Sequence, residues 1–266
     1  MDPGETEMNQ PAFEFHDLSA GYGEKTILRE LSGTIMPGEV TALIGPNGSG
    51  KSTLIKALGG FLPFTGRLSL LGREVNQTPR RELGRLIGVV AQQANVKAAF
   101  TAYDVIGFGR LPHQPLLGRT TAEDERAVLN AAERLGIEHL LFRPVTELSG
   151  GERQRVLLAM AVAQDAPVCL LDEPTSAMDP CQALRAFTLM KELAREGKTV
   201  VVVAHDINAA LSCADSFIAL RSGQIIARGR AVDLSAAVLE ALYDIPFIPY
   251  VSSRGDTVWH PVSNRS

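Results

Sequence analysis

The 266-residue chain predicts an α/β fold: a parallel sheet covered by helices, with a helical block inserted into it. Three observations carry that prediction. Continuous apolar runs at 40–44, 168–171 and 200–203 have the length and composition of strands buried on both faces. Helical patterns separate the later runs, and strands that alternate with helices build a parallel sheet. From 94 to 164 the texture changes to helical patterns almost throughout, which marks the insertion.

Residues 1–11 are polar and acidic and read as a flexible tail ahead of one domain at 12–266. Strands are expected at 13–18 and 27–35 around Gly21-Tyr22-Gly23, with Met36-Pro37-Gly38 turning the chain into 40–44. Short strands follow at 67–71 and 87–90. Helices are expected at 102–108 and 121–135, the second opening on Thr121-x-x-Asp124 at capping-box spacing. A third opens near Ser149, with Val156, Leu157, Met160 and Ala163 at core spacing. Strands resume at 168–171, 200–203 and 218–220, separated by helices at 181–196 and 207–213.

Composition narrows the function classes. With 45% hydrophobic and 21% charged residues the chain is that of an ordinary globular protein, and its net charge of -4 opposes nonspecific nucleic-acid binding. No nucleic-acid partner is expected. No run approaches the ~20 apolar residues of a membrane span. The start MDPGETEMNQP lacks the basic and apolar segments of a signal peptide, so the expected location is cytoplasmic. Cys169, Cys181 and Cys213 lack metal-ligand spacing and read as reduced, structural thiols.

Gly45-Pro46-Asn47-Gly48-Ser49-Gly50-Lys51-Ser52-Thr53 fits G-x-x-x-x-G-K-[ST], between an expected strand and an expected helix. Glycines let the backbone curl around a polyphosphate, and N–H groups at the helix start then point at the anion. Lys51 is expected on the β and γ phosphates, Ser52 on Mg²⁺ and Thr53 near the α phosphate. A chance match in a chain of this length is roughly one in a hundred before that context is counted. A polyphosphate ligand with Mg²⁺ is therefore expected, and the family resemblance given next implies that it is ATP. The run 168–171 ends in Asp172 and Glu173. Asp172 suits Mg²⁺, and Glu173 is placed to polarise the water that attacks the γ phosphate.

Leu148-Ser149-Gly150-Gly151-Glu152, followed by Arg153-Gln154-Arg155, resembles the ABC signature motif. The ordered set extends the resemblance over nearly the whole chain: Tyr22, the phosphate loop, Gln92, LSGGE, DEP at 172–174, SAMD at 176–179 and His205. The chain is identified as a member of the ABC transporter ATPase family. The resemblance implies a RecA-like nucleotide-binding core with an N-terminal antiparallel β-subdomain (12–93 and 165–266) and a helical signature subdomain (94–164). It implies that Tyr22 stacks on adenine and that Gln92, with Gln93 as the competing assignment, meets Mg²⁺ and water. It implies also that His205 contacts the γ phosphate and that Asp179 lies at the nucleotide. Ser149, Gly150 and Gly151 of one protomer would close over ATP held by the other, so a homodimer with two shared sites is expected. Glu152, Met178 and Ala91 depart from the family's commoner glutamine, leucine and proline. None of the three removes a catalytic group.

Transport is implied by the family. Gly109-Arg110-Leu111-Pro112-His113 and Ala163-Gln164-Asp165-Ala166-Pro167 look like the ATPases of iron-siderophore, haem and cobalamin importers. Zinc or manganese importers are the alternative, followed by ABC ATPases of DNA repair or translation. Expected partners are transmembrane permease subunits and, indirectly, a periplasmic or lipid-anchored solute-binding protein, which would place the chain on the cytoplasmic face of the membrane as a peripheral subunit. Residues 94–143 are the expected docking surface, with Tyr103, Arg110 and His113 as contacts.

Overall fold

The computed structural model describes residues 10–91, 100–115, 119–204, 206–253, 255 and 257–262. β1 (Phe13–Tyr22) and β2 (Lys25–Ile35) form a hairpin whose turn uses Gly23 at φ 56°. Phe13, Phe15, Leu18 and Ala20 of β1 point inward, with half-buried or exposed residues between them. β4 (Phe64–Leu70) pairs antiparallel with β1, and β5 (Arg73–Glu74) with β4, giving a four-stranded sheet in the order β2-β1-β4-β5.

The larger sheet is built around three central strands buried at every position. β3 (Val40–Ile44), β7 (Val168–Asp172) and β8 (Thr199–Val203) are buried at all five positions each. With β6 (Ile87–Val90), β9 (Ser216–Arg221) and β10 (Gln224–Arg230) they form one sheet in the order β10-β9-β3-β8-β7-β6. All pairs are parallel except β10 with β9. Side chains alternate across this sheet. Val200 and Val202 join the core beneath helices α5 (Gly150–Ala163) and α6 (Pro180–Arg195), whereas Val201 and Val203 join the core shared with α1 (Lys51–Leu58) and the antiparallel sheet.

Expected elements reappear within a few residues of their predicted ends, among them α3 (Ala102–Phe108), α4 (Ala122–Leu135) and α7 (Ile207–Cys213). The Thr121/Asp124 capping box forms, and a second one forms at Thr101/Asp104. Several elements carry too little pattern to be read: α2 (Arg80–Leu86), β10, α8 (Ala236–Tyr243) and the C-terminal pair β11 (Phe247–Val251) and β12 (Thr257–Pro261). α2 is one short helix with a single buried residue, Leu83, and β11 has only Phe247 buried, so neither shows a periodic apolar face. Cys169 and Cys213 are buried free thiols as expected. Cys181 is exposed on the first turn of α6 and is not among its buried residues, which corrects its reading as structural.

A second correction concerns Arg110. Arg110 is 5% exposed and cannot contact a partner. Its Nε donates to Asp124 Oδ1 at 2.9 Å and its Nη1 to the Ala163 carbonyl at 3.0 Å. His113 Nε2 lies 2.8 Å from the Gln164 carbonyl. The Gln164 amide in turn donates to Gly84 and Ile87 carbonyls, at 2.5 and 2.7 Å. A Cβ on Gly109 would come 2.2 Å from the Met160 carbonyl, so the chain can pass there only as glycine. The GR-x-PH and AQDAP stretches thus meet in one knot that fastens the helical block to the start of β6.

Burial raises the Asp124 pKa, but hydrogen bonds from the Thr121 backbone, Arg110, the Thr121 hydroxyl and Gln114 outweigh it and hold the group at about 2. Because that lies below the ordinary aspartate value of 3.8, the carboxylate stabilises the fold above pH 3.8 and loses this contribution as pH falls through about 2. Asp124→Ala removes the buried carboxylate beside Arg110, leaving it only the Ala163 carbonyl and the exposed Glu123 carboxylate at 3.5 Å, and is expected to cost up to about 3–5 kcal/mol at pH 7. Urea unfolding of both proteins checks this, and the difference between them should shrink between pH 4 and pH 2.

Candidate nucleotide site

β3 ends at Ile44, and α1 starts at Lys51. Between them Gly45, Gly48 and Gly50 have φ of 148°, 76° and 110°, a region that side chains disfavour. Space is limiting too. A Cβ on Gly45 would lie 2.1 Å from the Leu220 carbonyl oxygen, and one on Gly50 would lie 2.7 Å from Leu28 Cδ2. Pro46 accepts from the Ser49 N–H at 3.2 Å, closing the loop, while Asn47 and Gly48 form its exposed crest. Ser49 is 2% exposed, and its Oγ has no hydrogen-bond partner. A buried hydroxyl without a partner, in a loop with no Cβ to fill its concave side, fits a polyphosphate group.

Lys51 Nζ reaches across the loop to the Gly45 and Pro46 carbonyls, at 2.8 and 2.9 Å. Burial lowers its pKa, against the opposing charges of Glu173 and Asp172. Ser52 Oγ donates to Asp172 Oδ1 at 3.1 Å, joining the start of α1 to the end of β7. Burial raises the Asp172 pKa, opposed by the Ser52 hydrogen bond and reinforced by the charge of Glu173. A hard cation would favour the charged carboxylate, and a hydroxyl beside a carboxylate is the oxygen donor set that Mg²⁺ takes. Among the described residues no three His, Cys, Asp or Glu side chains converge as a metal site. A divalent ion held by Ser52 and Asp172 would complete its shell with phosphate oxygens and water. Thr53 is buried at the first turn of α1.

Glu173 follows at φ 51°, and its N–H donates to the Val203 carbonyl at 2.9 Å. This turn lifts the half-buried side chain away from the buried line of β7. Tyr22, at the end of β1, is 47% exposed. Lys56 of α1 holds it, with Nζ 3.1 Å from the hydroxyl and 5.4 Å from the ring centre. The aromatic ring is thereby tied to the helix that starts at the phosphate loop.

The residues expected to meet a partner's nucleotide are engaged locally. Ser149 caps α5: its N–H and its Oγ both donate to Glu152 Oε2 at 2.8 Å, and the Glu152 N–H returns a bond to Ser149 Oγ at 3.3 Å. These bonds, the backbone one first, lower the Glu152 pKa. Gly150 is exposed beside it, and Gly151 packs against the loop before α6. Asp179 caps α6 by accepting from the Gln182 N–H at 2.9 Å. Gln92 and His205 lie outside the described residues, as does Gln93. Sequence reading overlooked Gln154, whose Nε2 donates to the Glu173 carbonyl at 3.3 Å. A polar residue at a core position of the α5 pattern was the available signal for Gln154.

Comparison with known proteins agrees with this geometry. The sequence pattern of the family described as ABC transporter matches residues 28–176. The ferric enterobactin transport ATP-binding protein FepC of Escherichia coli (strain K12) is 41% identical over 231 residues, covering 86% of this chain and 85% of that protein. Among solved structures, an inward-facing transporter described as of the metal-chelate type superposes with a TM-score of 0.81 at 27% identity, over 95% of this chain and 98% of the other. A dimeric bacterial ABC transporter cassette, MJ0796, gives a TM-score of 0.75 at 30% identity, over 82% and 98%.

Lys51→Ala removes the ammonium that spans the loop. A charge-assisted hydrogen bond contributes about 1.5–3 kcal/mol, so ATP affinity should fall about 10- to 100-fold. Titration with a fluorescent ATP analogue reads this directly, and unchanged affinity would remove Lys51 from the site.

Proposed function

The chain belongs to the ABC transporter family as an ATP-hydrolysing subunit, and from that premise we propose that it powers import of a metal chelate, ferric siderophore foremost, through a separate permease. The observation that carries the cargo reading is the kinship with a ferric enterobactin transport subunit over most of both chains. No helix among the described residues is long and apolar enough to cross a membrane, and we assign the transmembrane path to separate permease subunits. We assign the chain to the cytoplasmic face of the membrane, with a solute-binding protein delivering the chelate from the far side.

In this reading Lys51, Ser49 and the amides of 45–53 hold the phosphates, Ser52 and Asp172 hold Mg²⁺, and Tyr22 stacks on adenine. Bound Mg²⁺ would neutralise charge on the phosphates. Glu173 takes the proton of the attacking water, and Gln92 and His205 act beside it. Ser149, Gly150, Gly151 and Asp179 complete the site on the partner protomer. The permease is proposed to dock where the helical block leaves apolar side chains in solvent: Phe100, Phe108, Leu111 and Phe142 are 42%, 38%, 58% and 84% exposed. Phe100 and Phe108 stack edge to face at 5.0 Å. Buried Arg110 instead supports this surface from below.

Glu173→Gln removes a general base while keeping the shape, and turnover should fall at least about 100-fold with Mg-ATP binding retained. Steady-state phosphate release with parallel nucleotide binding measures both. Turnover at the wild-type rate would refute the base assignment. For the cargo, a strain lacking the gene should fail to grow on a ferric siderophore as sole iron source, and recover with the wild-type gene but not with Glu173→Gln. Normal siderophore uptake with loss of zinc or manganese uptake would transfer the reading to those importers.

A further inference from the structure

Gln154 stands one turn into α5, the helix that starts at the signature, and is 7% exposed. A side-chain amide in such a place needs a partner, because burying it unpaired is costly. Its Nε2 finds the Glu173 carbonyl at 3.3 Å. The same oxygen accepts from the Ser176 N–H at 3.3 Å and the Ser176 hydroxyl at 3.1 Å. Glu173 itself holds a left-handed backbone at φ 51°, which a glutamate keeps only where its surroundings enforce it. On the other side, its N–H is fixed to Val203. Gln154 is thus one of the groups that set the direction in which the Glu173 side chain leaves the backbone.

The start of α5 also sits close upon the loop that follows Glu173. A Cβ on Gly151 would meet the Ala177 carbonyl at 2.9 Å and Gln182 Oε1 at 3.0 Å, and one on Gly150 would meet Ala177 Cβ at 3.4 Å. The signature glycines therefore have a reason within their own chain. They allow the helix to approach 173–179 closely enough for Gln154 to span the gap.

We propose that Gln154 is a positioning residue for ATP hydrolysis, tying the signature helix of a protomer to Glu173 of the same protomer. It follows that the two nucleotide sites of a dimer are linked through it. In the shared-site reading above, on which this inference rests, the signature serves the partner's nucleotide and Glu173 serves its own. A displacement of the signature at one site is then carried by a side chain to the base at the other. Gln154 touches no substrate, so its effect belongs to kcat rather than to nucleotide affinity.

Mixed dimers of the full chain, purified through two affinity tags, separate this role from a general structural one. In each dimer one protomer carries Lys51→Ala, so that only the other protomer's loop holds a working nucleotide. Gln154→Met keeps the side-chain volume and removes the donor. Placed in the protomer with the intact loop, it should lower kcat on the order of 10-fold, the size expected of a misplaced catalytic group, and leave KM for ATP unchanged. Placed in the Lys51→Ala protomer, which supplies only the signature to the working site, it should leave kcat unchanged. Equal losses in both arrangements, a loss only in the second, or no loss in the first would each overturn the proposal. Glu173→Gln in the intact-loop protomer is the control. If that dimer still turns over, the general-base reading fails instead of the tether.

Discussion

Gly45 has no room for a side chain, and the architecture around the nucleotide site follows from that. A Cβ there would lie 2.1 Å from the Leu220 carbonyl oxygen of β9, the strand that pairs parallel with β3, so only glycine lets the chain leave β3 this close to β9. β8 and then β7 follow in parallel on the other side of β3. Parallel neighbours end at one edge of a sheet, and ligands of open α/β sheets bind outside that edge. The loop after β3, the carboxylates at the end of β7 and the segment after β8 are brought together for this reason, though more than a hundred residues separate the first from the last. The start of α1 adds the unpaired N–H groups of a helix N-terminus.

Much of this was legible because the chemistry demands local spacing. A phosphate loop has to read as glycines at fixed intervals before Lys51, and the acids have to follow a buried strand. The capping box at Thr121 was likewise visible, since its two partners lie three residues apart. What sequence left hidden is contact between distant segments. Arg110 read as an exposed basic residue of a docking block until Asp124 and the Ala163 carbonyl closed around it. Gln154 and Gln164 read only as members of family-like stretches, with no partner assigned, because neither has its partner within one turn. The C-terminal strands β11 and β12 pair mostly with each other and bury little, so no apolar period announces them.

Those two glutamines give α5 its mechanical character. Gln154, near its N-terminus, bonds the chain just past the end of β7. Gln164, its C-terminal cap, bonds the chain at the start of β6. β6 and β7 are parallel neighbours, so the helix is fastened at opposite ends to adjoining strands. A helix held this way resists sliding along the sheet, and its permitted motion is one it shares with the sheet. α3 and the loop 109–114 join it through Gly109, Arg110 and His113. The apolar surface at Phe100 and Phe108 is therefore attached to a stiff element, and force applied there has a route to the edge where Glu173 stands.

Energy for closing a dimer has to come from contacts made only when it is closed, because a ligand shifts an equilibrium solely by its differential affinity for the two states. The loop at 45–53 is complete within one protomer and cannot by itself discriminate between open and closed. In the shared-site reading proposed above, discrimination falls to Ser149 and the start of α5. There the helix N-terminus favours an anion, whereas Glu152 already supplies one and takes both donors of Ser149. A phosphate oxygen arriving from the partner's site meets a negative charge whose pKa the cap has lowered, so Glu152 stays ionised near neutrality. Closure must therefore exchange one anion for another at the same donors. On that reading the gain from closing depends on the charge that the γ phosphate brings to those donors, because Glu152 already satisfies them in the separate protomer.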